Sequence, residues 1–282
     1  MPALVLEGGT FRPIFSCGVM DALLAHDVHF PYVIGVSAGI TDGTSYVSRQ
    51  PGRNLAVLMT YRHDKRYLGM RNYLTDRSMF GLRFAFERIP NELIPFDWEA
   101  YEASTAQVVV GVTDAATGKM AYLDGKQVDR KCTMLKATCA LPLVFPPITV
   151  DGRQYYDGGL CDSIPVGKAR QDGHSKMLVV LTQPQGYRKQ LNRSNKIAAK
   201  LLRRKYPNLV QPLLKRHEMY NAHLDEVARL EQEGSAVVLR PGAEVRIDSF
   251  EKDMDKIKAL YDYGYALAES RMEEIKALFG AE

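Results

Sequence analysis

Between Ala3 and Thr182 the chain alternates short apolar runs with stretches of helical spacing, and this rhythm restricts the fold more than any other feature. Ala3–Leu6, Tyr32–Val36 and residues 177–182 are apolar almost throughout, the pattern of strands buried on both faces. The first two lead into helical patterns, at Ile14–Ala25 and from Ala38 onward. Residues 107–113 and 119–123 read as strands around a turn at 116–118, and 154–156 as a further short strand. Residues 130–140 read as a helix stopped by Pro142, and Ser163 as the N-cap of a helix ending at Gly173. A β-α-β-α order of this kind predicts an α/β sandwich around a largely parallel sheet. Beyond Pro184 the character changes: residues 190–204, 209–232 and 250–278 are helical patterns, with Ala236–Leu239 a lone strand between them. A soft boundary is expected near residue 185.

Composition excludes several classes. With 46% hydrophobic and 25% charged residues the chain is neither disordered nor collagenous, and 282 residues bury a core without disulfide or metal staples. Cys17, Cys132, Cys139 and Cys161 form no C-x-x-C pair and the six histidines no H-E-x-x-H, so no metal is expected. No run approaches the ~18 apolar residues of a membrane span. The first residues lack the basic and apolar regions of a signal peptide, so a cytoplasm-like compartment is expected, with contact to a membrane surface left open. The net charge of +4 is uneven: residues 173–217 hold eleven Lys or Arg and no Asp or Glu. A solvated helical face is the plain reading of that block. Attraction to anionic lipid is the second. Nucleic acid is the third, and no binding motif supports it.

Three short segments carry candidate chemistry. Gly35-Val36-Ser37-Ala38-Gly39 matches G-x-S-x-G between a strand and a helix, the context of a nucleophile elbow. Small neighbours let a serine sit on a sharp turn against the adjoining strand, with its hydroxyl near a helix N-terminus. A tight turn with a capping serine uses the same residues. Glu7-Gly8-Gly9-Thr10-Phe11-Arg12 is a glycine-rich loop between strand and helix, whose N–H groups can face an anion. It lacks the spacing of a dinucleotide or Walker loop, and an oxyanion site beside Ser37 uses both loops together. Tyr155-Tyr156-Asp157-Gly158-Gly159 puts a carboxylate at a strand end with two glycines after it; an Asx turn is the plain alternative. No histidine after Asp157 has a context that marks it as a base, and an Asp acting directly on Ser is a coherent alternative to a triad.

These three motifs, in this order, resemble the patatin-like phospholipases, most closely the bacterial patatin family proteins with a long C-terminal extension. Val112-Thr113-Asp114 and Ala140-Leu141-Pro142 add to the resemblance, which covers roughly residues 3–185. It implies a three-layer α/β/α patatin-like sandwich over 3–185 and a mainly helical C-terminal extension over 186–282. By carry-over Ser37 is the nucleophile and Asp157 the general base. The amides of Gly8, Gly9, Thr10, Phe11 and Arg12 form the oxyanion hole, Gly35 and Gly39 shape the elbow, and neither cofactor nor metal is needed. The implied reaction is hydrolysis of lipid acyl esters, of phospholipase A or lysophospholipase type, through an acyl-enzyme; a thioester hydrolase would use the same dyad. Thr10 and Pro13 depart from the family's glycines. They motivate a second expectation, a catalytically weakened member that binds anionic lipid or a partner through its basic face. Asp162 either assists Asp157 or caps a helix. Residues 61–86, which mix Arg with aromatic residues, pack over the core or form a lipid-facing lid.

Overall fold

A computed structural model describes residues 1–280. The apolar runs become strands β1 (Ala3–Leu6), β2 (Tyr32–Val36), β3 (Gln107–Asp114), β4 (Met120–Asp124), β5 (Ile148–Val150), β6 (Arg153–Asp157), β7 (Met177–Val180) and β8 (Ala236–Leu239). They form one sheet in the order β5-β6-β3-β2-β1-β7-β8, with β4 also on β3. The β3-β2-β1-β7-β8 segment is parallel; β4, β5 and β6 pair antiparallel. The helices are α1 (Ile14–Ala25), α2 (Ser37–Val47), α3 (Arg53–Tyr61), α4 (Asn72–Asp76), α5 (Trp98–Ala103), α6 (Thr133–Thr138), α7 (Val166–Gln171), α8 (Arg193–Leu202), α9 (Val210–Gln232), α10 (Met254–Ser270) and α11 (Met272–Ala277). A π-helical segment, Phe84–Leu93, lies between α4 and α5.

The two faces of the sheet explain why its strands are apolar throughout. Leu4, Leu6, Val33, Val108, Val110, Leu178 and Val180 point into one core with α1, α2 and α10. Ala3, Val5, Tyr32, Ile34, Val109, Met177 and Val179 point into a second core with α7 and α9. Side chains alternate across each strand, so both faces need apolar residues when both are covered by helices. The result is the expected three-layer sandwich.

The C-terminal part is mostly helical, and it also enters the main body. β8 extends the sheet beside β7. α10 lies on α1 at very short range: a Cβ on Gly18 would meet the Tyr261 carbonyl oxygen at 2.0 Å, and one on Gly264 the Phe15 oxygen at 2.2 Å. Glycines at this crossing are what let the two backbones touch.

Several local expectations are corrected. β5 falls in a stretch that carries no strand pattern. The helix expected over 130–140 is confined to Thr133–Thr138. Ser163 caps nothing: α7 starts after Pro165, and the Ser163 hydroxyl donates to Gly159 O at 3.0 Å. Among the described residues no helix is long and apolar enough to cross a membrane.

Candidate active site

The edge of β3 changes partner at one point, and this brings the candidate dyad together. β2 pairs with β3 up to Val36 opposite Gly111. From the next residue the same edge is taken over by β6, with Asp157 opposite Val112. Ser37, the residue after Val36, therefore meets Asp157 across two adjacent positions of one strand. Gly158 makes the junction possible, because a Cβ there would lie 2.3 Å from Gly111 O.

Ser37 stands at φ 55°, a left-handed conformation uncommon for a non-glycine residue. The surroundings hold it there. Its N–H donates to Thr138 Oγ1 at 2.8 Å, and that hydroxyl donates to Gly111 O at 2.6 Å. The flanking glycines allow the turn to press on β1: a Cβ on Gly35 would meet Leu6 O at 2.7 Å, and one on Gly39 would meet Glu7 O at 2.4 Å. Strain of this kind costs about 1–3 kcal/mol and persists only where packing over-determines it.

Asp157 is 1% exposed and Ser37 7%. Asp157 Oδ1 accepts the Gly159 N–H at 2.7 Å, while Oδ2 has no partner. Burial pushes the Asp157 pKa above the ordinary carboxylate range. Arg216, the Ser37 hydroxyl and the Gly159 N–H pull against that shift without overcoming it. The net direction suits a carboxylate that must accept a proton near neutral pH.

The glycine-rich loop lies against the serine, since a Cβ on Gly8 would meet Ser37 Cβ at 2.8 Å. Its five amides are not equivalent. Phe11 N–H donates to Ser249 O and Arg12 N–H to Gly9 O, each at 3.2 Å. The N–H groups of Gly8, Gly9 and Thr10 have no acceptor among the described residues. Thr10 itself sits at φ 60°, so the residue replacing a glycine occupies the backbone region that favours glycine. Pro13 precedes α1, where its missing N–H leaves no bond unmade. Glu7 anchors the loop: Oε2 accepts Thr182 N–H at 2.6 Å and Oε1 accepts the Tyr220 hydroxyl at 2.7 Å.

Two cavities meet at Ser37. One, of about 170 Å³, is walled mainly by apolar side chains including Leu58, Tyr67, Phe80, Phe86, Trp98 and Leu135. The other, of about 310 Å³, is polar and is lined by Asp157, Gln183, Lys189, Asn195, Arg216 and Tyr220, among others. Part of segment 61–86 thus forms the wall of the apolar chamber. Asp162 turns to other partners: it accepts the Tyr122 hydroxyl at 2.6 Å and Ile164 N–H at 3.2 Å, and His223 Nδ1 lies 3.2 Å away.

Thr138, Arg216 and Lys189 escape a reading of the motifs. Arg216 had a signal. On α9 it falls three residues after Leu213 and four before Tyr220, on the stripe that continues to Val227 and is buried against the sheet. A charge on a buried stripe points inward, whatever the charge of the surrounding block. Lys189 carries no comparable signal, since it lies in a segment without periodicity.

Comparison with known proteins adds the following. A family model described as patatin-like phospholipase matches residues 4–170, and one described as a domain of unknown function (DUF6363) matches residues 206–280. The uncharacterized protein YjjU of Escherichia coli (strain K12) is 29% identical over 201 residues, 64% of this chain and 52% of that protein. The chain thus spans about half the length of that curated relative. The crystal structure of VipD from Legionella pneumophila is similar in fold, with a TM-score of 0.50 at 12% identity over 98% of this chain and 67% of that one.

Proposed function

Because this chain belongs to the patatin-like phospholipase family, we propose that it hydrolyses lipid acyl esters with Ser37 as nucleophile and Asp157 as its base. The observation that supports the reading is their placement. A serine held in strained backbone stands beside a buried carboxylate whose Oδ2 has no hydrogen-bond partner.

In this reading Asp157 Oδ2 takes the Ser37 proton as Oγ attacks the acyl carbonyl. The oxyanion of the tetrahedral intermediate is bound by the amides of Gly8, Gly9 and Thr10, donors typically worth about 3 kcal/mol each in the transition state. Asp157 returns the proton to the departing alcohol, then activates the water that cleaves the acyl-enzyme. The apolar chamber suits the acyl chain and the polar cavity suits the remainder of the lipid. A fluorophosphonate probe tests the central claim. Labelling is expected in the folded protein, and not in Ser37→Ala or heat-denatured protein. Labelling that survives Ser37→Ala would remove Ser37 from the nucleophile role.

The basic block supports peripheral contact with an anionic membrane. Arg193, Lys196, Lys200, Arg203, Arg204, Lys205 and Lys215 make no ion pair or side-chain hydrogen bond among the described residues. Beside them on α8, Ile197 and Leu201 are 41% and 64% exposed. The other side of that helix borders the polar cavity through Asn195 and Ala198. A bilayer meeting α8 would therefore lie at the mouth of the site. Each basic residue near an anionic surface adds about 1 kcal/mol. Co-flotation with anionic vesicles is expected at low salt, in wild type and Ser37→Ala alike, and is expected to fall at high salt. Binding that is indifferent to both vesicle charge and salt would refute this contact.

A further inference from the structure

The polar cavity holds three cations that no carboxylate neutralises as an ion pair. Arg12 comes from the loop after β1, Lys189 from the segment between β7 and α8, and Arg216 from α9. Their contacts are with neutral groups. Arg12 Nη1 donates to the Ser249 hydroxyl, and Arg216 Nε donates to Gly159 O at 2.7 Å. Lys189 Nζ lies 4.3 Å from the centre of the Tyr220 ring. Arg12 Nε is buried without any acceptor. A buried donor left unmade is costly, and a donor on a cation more so.

The acids nearby do not balance this set. Both oxygens of Glu7 are already bonded, to Thr182 N–H and the Tyr220 hydroxyl. Asp157 belongs to the dyad and becomes neutral when it accepts the Ser37 proton. Burial, with the positive charges of Arg216 and Arg12, pushes the Lys189 pKa down to about 8, and Glu7 opposes the shift. Such a cluster is the electrostatic complement of an anion. In the same cavity Gln183 Oε1 is buried and also unpaired, an acceptor suited to a hydroxyl.

We propose that Arg12, Lys189 and Arg216 form a binding site for the phosphoryl group of a phospholipid, and that the positive charge left over around it selects anionic lipids over zwitterionic ones, whose headgroup carries a cation of its own. The inference rests on the reading of Ser37 as nucleophile, because that reading makes the polar cavity the place of the lipid's head. Arginine supplies planar, paired donors to phosphoryl oxygens, and lysine adds a point charge. Two of the three cations come from beyond residue 185, so the C-terminal part supplies most of the selectivity.

The test is binding to full-length Ser37→Ala protein, which separates recognition from turnover. Dihexanoyl phosphatidylglycerol and dihexanoyl phosphatidylcholine are titrated as monomers by calorimetry, so attraction of a bilayer to α8 does not enter. The anionic lipid is expected to bind about tenfold tighter or better, the scale of one desolvated charge contact. Adding Lys189→Gln is expected to erase most of that preference, and adding Lys189→Arg to retain it. A thermal melt checks that each variant is folded. Displacement of the anionic lipid by inorganic phosphate assigns recognition to the phosphoryl group alone. A preference that saturating inorganic phosphate leaves intact places the recognition outside a phosphoryl site and overturns the proposal. Equal binding of the two lipids, or a preference that survives Lys189→Gln, overturns the site. Loss of fluorophosphonate labelling in wild type would instead count against the nucleophile, and this binding measurement would stand apart from it.

Discussion

Asp157→Asn is expected to lower ester turnover by at least about 10³-fold, the scale of a lost general base, and at neutral pH to make the fold more stable. Asparagine keeps the shape of the side chain and the bond from Gly159 N–H, and loses only the capacity to take the Ser37 proton. The stability gain follows from the direction of the pKa shift. In the folded protein Asp157 titrates above the ordinary carboxylate range, a net displacement that already includes the opposing pull of Arg216. Its contribution to stability is therefore present below the unfolded pKa and lost as pH rises through the folded one. At neutral pH the wild type carries the cost of a buried charge that asparagine does not. A gain of about 1 kcal/mol is typical when such a functional cost is relieved. Thermal melts of the two proteins should differ at pH 7 and converge in acid. The acidic limb of kcat/KM in the wild type should fall above the ordinary aspartate value of about 3.9. A variant that kept turnover, or that melted lower at pH 7 and higher in acid, would contradict the assignment.

Gly264→Ala is expected to destabilise the protein by about 3 kcal/mol, the upper range for overpacking. The added carbon would lie 2.2 Å from the Phe15 carbonyl oxygen. A backbone oxygen cannot rotate aside as a side chain does, so α10 must lift from α1 and open the core between them. With whole-domain stabilities of about 5–15 kcal/mol, such a loss is readily measured by urea denaturation. Gly167→Ala in α7 supplies the contrast. Nothing lies within 4 Å of its added carbon, and alanine there should stabilise by up to about 1 kcal/mol through helix propensity. Equal effects from the two substitutions would rule out the close crossing.

The elements that were legible in advance are those whose pattern leaves few alternatives. Ala3–Leu6, Ile14–Ala25, Tyr32–Val36 and Ala236–Leu239 lie where their periodicity places them. The meeting of Gly8, Ser37 and Asp157 was expected from the resemblance that the three motifs carry in their order, since each motif alone reads equally as a turn. β5 was obscured because Ile148–Val150 follows two prolines and spans three residues, too few to show alternation. Ser163 misled because a serine before a helix has the same sequence whether it caps the helix or bonds backward to Gly159. The basic block was read by its sum. Lys189 could not be separated there from the free cations of α8, because its segment has no periodicity to show direction, whereas Arg216 could have been singled out only by the buried stripe of α9 and not by the charge of the block.

The change of partner along β3 also divides the chain by task. Ser37 and Asp157 are fixed by neighbouring rungs of a single strand, so the lengths of the connections between them do not set their separation. Most residues that wall the apolar chamber, Leu58, Tyr67, Phe86, Trp98 and Leu135 among them, are encoded between Ser37 and Asp157, with Phe11, Ile14 and Phe250 joining from outside that interval. Gln183, Lys189, Arg216 and Tyr220 in the polar cavity are encoded after Asp157, and Arg12 and the glycine-rich loop join them from before Ser37. Substitutions in the first interval bear mainly on the apolar chamber and those in the second mainly on the polar cavity, while the register of β3 keeps Ser37 and Asp157 in place. Descendants of such a chain can alter much of one chamber while leaving most of the other as it was.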